Sequence, residues 1–199
     1  MVHDQQYAQM LLAARARLAR HTPQEIAERA GVSLEDGLFR IQSLGRSYTV
    51  HMEELTVMPE PGMWLTLLML HYLDLADGTP PSGQLMPFSG YPDGLIRGGG
   101  FDRDAETAIR TKLGRMPMEV LKERCAALGA VLEQSNADLC ARFAFFPHVP
   151  VWLKIWLADE DFPASGRLLL DTSAPHYLSI EDAVTAGTLL LERLCNRED

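Results

Sequence analysis

The chain has 199 residues, of which 47% are hydrophobic and 23% charged, a balance that suits one compact domain and excludes a disordered or low-complexity scaffold. Eighteen basic against twenty-seven acidic residues give a formal charge of −9, so phosphate backbones and anionic lipid are repelled on average and nucleic acid is not an expected partner. Three cysteines, Cys125, Cys140 and Cys195, show no C-x-x-C spacing, which supports neither a disulfide framework nor a self-contained iron-sulfur or zinc site. The polar start of the chain lacks the regions of a secretory signal, and the most apolar stretch, Trp64 to Leu75, is too short to span a bilayer and contains His71 and Asp74. A cytoplasmic protein with no membrane segment is expected.

Tyr7, Met10, Leu11, Ala14 and Leu18 recur at helical spacing, followed by Thr22, Pro23 and Glu25 as N-cap, N1 and N3 of a short second helix that Gly31 closes. These make an N-terminal helical segment, 4–31, ahead of a core over 38–197. From Leu38 to Met58 the period changes to two, with Phe39, Ile41, Tyr48, Val50 and Met52 on one face around Gly45, which predicts a β-hairpin. Gly62 to Ala76 is apolar on nearly every side and reads as a central helix surrounded by protein. Gly78 to Gly100 is rich in glycine and proline and has neither period, so it reads as a long irregular connection of the kind compact domains keep for function.

Two helices follow, over about Asp102 to Leu113 and Met118 to Leu128, and then three strands, near Leu139 to Phe146, Val151 to Leu157 and Gly166 to Asp171. Ser179 and Asp182 cap a terminal helix that carries Ala183, Ala186, Leu190 and Leu194. Two groups of strands separated by helices predict an α+β fold: a mainly antiparallel sheet of about five strands packed against helices in a single domain.

Several motifs invite chemistry. Pro23 to Ser33 resembles the first helix and turn of a helix-turn-helix, but Glu35, Asp36 and Gly37 stand where a recognition helix needs donors. Gly98-Gly99-Gly100 resembles an anion-binding loop, yet no G-K-[ST] follows, and Asp102, Asp104 and Glu106 bring competing charge. The plainer account is a tight backbone path beside another segment. His71 and Asp74, three apart on the central helix, form a candidate oriented imidazole. Asp159, Glu160 and Asp161, with Asp171 and His176 beyond them, are candidate ligands for a hard cation, although only Asp159 and Asp161 share a face on an extended chain. Trp152, Lys154 and Trp156 share one strand face. It is expected to be covered by a helix, and if open it is a platform for a flat ligand or a protein.

The chain resembles the family catalogued as domain of unknown function 3786, through His71-Tyr72-Leu73, Ala76-Asp77-Gly78, Ser82-Gly83 and Pro87-Phe88. The resemblance is most specific in Trp156, in Asp159 to Ser165, and in Asp171 to Leu178 with Glu181-Asp182. It implies an anaerobic, redox- or cofactor-related setting without an assigned activity; some members are fused to a cysteine-rich iron-sulfur domain, whose cysteine cluster these 199 residues do not contain. The leading expectation is therefore a ligand- or cofactor-binding domain with candidate contacts His71, Tyr72, Trp156, His176 and Tyr177. Haem or a corrinoid is the candidate cofactor, and His71, His148 and His176 are the candidate axial donors. The alternatives are a metal-assisted enzyme using Asp159, Asp161, Asp171 and His176 with His71 as proton carrier, and a partner-binding subunit that meets a redox or corrinoid protein. The leading reading requires the central-helix histidine, the glycine segment and the acidic turn to border one hollow.

Overall fold

The computed structural model describes residues 2–54 and 56–196, with side chains from Tyr7 onward. Met1, Leu55 and residues 197–199 lie outside the described residues, and with them one position of the expected hairpin and the last of the expected core. Helix α1 (Val2–Leu18) buries Ala14 and Leu18. Helix α2 (Pro23–Ala30) has the reciprocal cap between Thr22 and Glu25 and ends on Gly31 at φ 62°, the left-handed conformation that glycine adopts without steric cost. Strands β1 (Ser33–Glu35), β2 (Leu38–Ser43), β3 (Arg46–His51) and β4 (Thr56–Met58) then form an antiparallel sheet in chain order. Its first two turns, Asp36–Gly37 and Leu44–Gly45, both have positive φ at the two central residues, the geometry that matches the twist of a tight hairpin. The hairpin predicted over 38–58 is thus the middle of a four-stranded meander. The segment after α2 is a strand, so no helix-turn-helix forms there.

Helix α3 (Met63–Leu75) is the central helix predicted from its composition: Leu65 to Leu70, Tyr72 and Leu73 are all buried, and α1, α2 and α6 (Ile180–Cys195) pack around it. The glycine-rich segment departs from expectation. It contains the short strand β5 (Leu85–Met86) and a 3₁₀ turn at Phe88–Gly90, and from Gly94 it is helix α4 (Gly94–Thr111), which runs straight through Gly98, Gly99 and Gly100. Glycine's poor helix propensity is overridden by packing. A Cβ at Gly94 would lie 2.6 Å from the Phe88 carbonyl oxygen and one at Gly98 2.1 Å from it, so these i, i+4 glycines let α4 close on the preceding turn. Asp102 faces that turn from mid-helix, accepting the Phe88 and Ser89 backbone N–H groups at 3.0 and 2.9 Å.

Helix α5 (Met118–Ala127) leads into the second sheet, made by β5, β6 (Val131–Leu132), β7 (Leu139–Phe146), β8 (Val149–Trp156) and β9 (Ser165–Asp171), with β9 and β8 between β5 and β7 and every pairing antiparallel. The fold is α+β in a single domain, but its strands divide between two sheets of four and five rather than forming one of about five. The sheets meet end-on where the Leu44 N–H donates to the Ala144 carbonyl at 3.0 Å. Val151, Leu153, Ile155, Leu168 and Leu170 fill the core, and α4 seats so closely on β9 that a Cβ at Gly166 would lie 2.5 Å from the Ile109 side chain. The face carrying Trp152, Lys154 and Trp156 is covered not by a helix, as expected, but by the segment 133–138. There the two indole N–H groups donate to Glu133 Oε2 at 2.9 Å and to the Asn136 carbonyl at 3.0 Å. Among the described residues no helix is long and apolar enough to cross a membrane.

Candidate functional site

Two stretches far apart in sequence, 77–84 beyond α3 and 171–179 before α6, cross at one corner of the molecule. Asp171, at the end of β9, fixes the crossing. It is fully buried, and a buried carboxylate must have its oxygens saturated. Its Oδ1 accepts the Ser82 N–H at 2.9 Å, the Ser82 hydroxyl at 2.8 Å and the Ser173 N–H at 2.8 Å, and its Oδ2 accepts the Gly83 N–H at 2.7 Å. Burial opposes ionisation, yet these donors outweigh it and hold the carboxyl at about 2. Asp171 is therefore occupied in tying backbone together.

On this base His176 donates from Nδ1 to Asp77 Oδ2 at 2.6 Å, with the two side chains 47% and 49% exposed. Although slight burial works against it, hydrogen bonds from Thr79 and His176 keep the Asp77 carboxyl at about 2. Tyr177, next in the chain, is buried and donates its hydroxyl to the Thr79 carbonyl. Burial pushes it up to about 12, so it serves as a neutral donor. Tyr177 stacks on Tyr72 and on His148, with ring centroids 5.7 and 5.3 Å apart, and Tyr72 stacks in turn on Phe146 at 4.6 Å. The His148 ring abuts the end of α2, where a Cβ on Gly31 would come within 2.3 Å of its Nε2. The corner is thus an aromatic stack with one oriented imidazole at its surface.

His71 takes a different place from the one expected. Asp74 pairs with Arg17 of α1, and His71 Nδ1 donates instead to Asp182 Oδ1 on α6 at 2.7 Å. Asp182 also accepts the Ser179 hydroxyl on Oδ2 at 2.6 Å and so completes the cap of α6. Burial raises its carboxyl and the bonds from His71 and Ser179 lower it, with the net effect downward. Three residues apart is one neighbouring position on a helix, but the residue across the helix interface supplied the better-placed oxygen.

The proposed cation donors do not converge. Asp159 Oδ1 accepts its own turn's Asp161 and Phe162 N–H groups at 2.9 and 2.7 Å, Asp161 is exposed beside it, Asp171 is saturated, and His176 belongs to Asp77. Among the described residues no group of three or more His, Cys, Asp or Glu is placed to hold a metal ion. Trp156 lies on the outer sheet face, away from the corner. Among the described residues, none of the main cavities is lined by His71 or by the acidic turn, where a shared hollow was expected. A cavity of about 540 Å³ between α4 and α6 is lined by Phe101, Ala105, Val184 and Leu191 with Arg97 and Lys112, whereas His71 lies at the contact of α3 with α6. Of the expected contacts, the structure gathers Tyr72, His176 and Tyr177. Sequence reasoning missed Asp77 and the second role of Asp182; the signal available was that each follows or opens a helix as an acid within reach of a histidine-bearing stretch.

No curated protein and no solved structure matches the chain significantly. The sequence pattern of the domain of unknown function (DUF3786) matches residues 22–193, so the corner, the aromatic stack and both sheets fall within it, and the chain belongs to that family.

Proposed function

We propose that the protein is a ligand- or cofactor-binding domain in which His176 meets the ligand. One observation supports the reading: His176 is a half-exposed imidazole whose Nδ1 is fixed by a carboxylate. A carboxylate on one ring nitrogen sets the tautomer and raises the basicity of the other. An imidazole held in this way suits axial ligation of a haem or corrinoid, or proton transfer at a bound substrate. We favour the tetrapyrrole, because the family resemblance implies an anaerobic, cofactor-related setting. His71 and His148 suit that role less well, since His71 is only 16% exposed and His148 is stacked on Tyr177. The test is anaerobic purification followed by an absorption spectrum, elemental analysis and titration with haem and with cobalamin. The expected result is a spectral change that His176→Ala abolishes while the fold persists. No response to either cofactor dismisses the tetrapyrrole, and a response unchanged in His176→Ala dismisses the donor.

A second reading, a partner-binding subunit, is favoured by Leu95 and Ile96, which are 80% and 88% exposed at the start of α4. Adjacent apolar side chains in water mark a contact surface more often than chance. A redox or corrinoid protein that co-purifies anaerobically, and whose binding as a purified component is lost in Leu95→Ser/Ile96→Ser, supports this reading.

A further inference from the structure

Three arginines from distant parts of the chain, Arg46 at the start of β3, Arg124 on α5 and Arg193 in the last turn of α6, line one hollow of about 360 Å³. The turns behind it fix their spacing. Gly45 and Gly129 stand back to back at φ 75° and 69°, and a Cβ on Gly129 would come within 2.8 Å of the Gly45 Cα. The β2–β3 turn therefore interlocks with the turn after α5 and holds Arg46 beside the end of that helix.

Two helix C-termini meet at this hollow, and their carbonyls would by themselves repel an anion. They are already answered within the protein. Arg124 Nη1 donates to the Leu194 and Cys195 carbonyls of α6 at 2.7 and 2.9 Å, and the Leu128, Gly129 and Ala130 N–H groups donate to the Cys125 and Ala126 carbonyls of α5. Arg124 keeps its Nε–Nη2 edge, which matches two oxygens of a carboxylate or phosphate. Among the described residues neither Arg46 nor Arg193 has an ion-pair partner. Glu123 is the one carboxylate in the lining, so the three guanidiniums leave a surplus of two positive charges in a chain whose net charge is −9.

We propose that this hollow binds a small polyanion, a molecule with two or more carboxylate or phosphate groups. The groups sit on the Arg46, Arg124 and Arg193 forks, and Val120, Ala127 and Leu128 face the skeleton that joins them. The volume lies within the ~300–1,000 Å³ range of small-molecule sites. A single anionic group would leave part of the surplus charge unmatched, which sets the preference for more than one.

The full chain is titrated by calorimetry with citrate and with pyrophosphate, against acetate as the singly charged counterpart, at matched ionic strength. At least one of the two polyanions should bind about tenfold or more tightly than acetate. Citrate alone identifies a polycarboxylate as the source of the chemistry, and pyrophosphate alone a phosphate compound. Arg46→Gln and Arg193→Gln should each weaken that binding about tenfold, and both leave Arg124 on the α6 carbonyls, so thermal midpoints should stay near the parent's. Where Arg193→Gln does not fold, Arg193→Lys keeps the charge without the fork and should still weaken binding about fivefold. Glu123→Gln should tighten binding about threefold, because it removes the competing charge. Failure of both polyanions to bind, equal binding of acetate, unaltered affinity in the arginine variants, or weaker binding in Glu123→Gln overturns the proposal. A parent that binds neither polyanion, while Glu198→Gln/Asp199→Asn binds them, overturns it in favour of the chain's own acidic end. Binding of a polyglutamate peptide without any binding of citrate or pyrophosphate also overturns it, in favour of an acidic protein segment.

Discussion

The end of α3 and the start of α6 exchange partners twice. His71 of α3 reaches Asp182 of α6 at 2.7 Å, and Asp77 just beyond α3 takes His176 just ahead of α6 at 2.6 Å. Chemistry, atoms and distance are nearly the same, but the first pair is 16% and 12% exposed and the second 47% and 49%. Length of bond therefore says little about role. Water access decides: an enclosed pair leaves an unmatched polar group when broken, whereas an open pair hands its partner back to solvent. The first pair accordingly belongs to the fold, and the second is free to meet something else.

The strongest way to break this contrast is Asp182→Ala. It removes the cap of α6 and leaves the His71 N–H facing an apolar residue, so about 2–4 kcal/mol of stability should be lost in urea unfolding. A loss under about 1 kcal/mol would falsify the assignment of this pair to the scaffold. The same lesson can be sharpened with glycine. Gly98→Ala forces a Cβ onto the Phe88 carbonyl oxygen, which belongs to backbone and cannot rotate away, and should cost about 1–3 kcal/mol. Gly100, two residues on in the same helix, has nothing within 4 Å of its Cβ position, so Gly100→Ala should stabilise by about 0.4–1 kcal/mol. Equal effects at the two positions would mean that the approach of α4 to the 88–90 turn is not close.

Acid should sort the carboxylates in the same order. Asp171 and Asp182 both ionise more readily in the folded chain than in the unfolded one, so the unfolded state binds protons first as pH falls. Their contribution is complete above about pH 4, the unfolded aspartate value, and is lost as pH drops toward the folded value, about 2 for Asp171. The urea midpoint should therefore stay level with respect to these groups from pH 7 to about 5 and fall below about 4. Asp171→Asn or Asp182→Asn should flatten that fall, and Asp77→Asn, whose carboxyl is also held low but is screened by water, should flatten it less.

How much of this was legible depended on whether the signal was local. Thr22, Pro23, Glu25 and Gly31 define α2, and Ser179 with Asp182 starts α6, because a cap is written within four residues. Of the strands Leu139–Phe146, Val149–Trp156 and Ser165–Asp171, the second followed from alternation and its neighbours from short apolar runs on either side. Asp36–Gly37 was a hairpin signal that the helix-turn-helix comparison obscured, and β1 was missed with it. Gly94 to Gly100 read as loop because nothing local discloses that the Phe88 carbonyl comes to lie against two of these glycines. At the site, His176 and Tyr177 were found from residue type and Tyr72 from the family resemblance. Their partners Asp77 and His148 come from segments about a hundred and about thirty positions away from His176 and Tyr177, and pairing across such separations is fixed by tertiary packing.

The smallest expected effect on stability is also the most informative. His176→Ala removes a half-exposed ring whose hydrogen bond to Asp77 competes with water on both sides, so unfolding should change by no more than about 0.5 kcal/mol. Asp77→Asn keeps the shape and an acceptor for Nδ1 but removes the charge that fixes the ring. If His176 is a donor to a ligand, Ala should abolish binding and Asn should weaken it about 10–100-fold, the range seen when such an outer partner is lost, with both proteins melting near the parent. If the pair only pins the 77–84 segment to the 171–179 segment, the order reverses: both changes loosen the crossing, hydrogen exchange at the Ser82 and Gly83 amides speeds up, and no spectral titration separates Asn from Ala. Since Asp171 already holds those two amides, the crossing does not need His176 for its strength, and the proposed donor role can be tested without disturbing the fold.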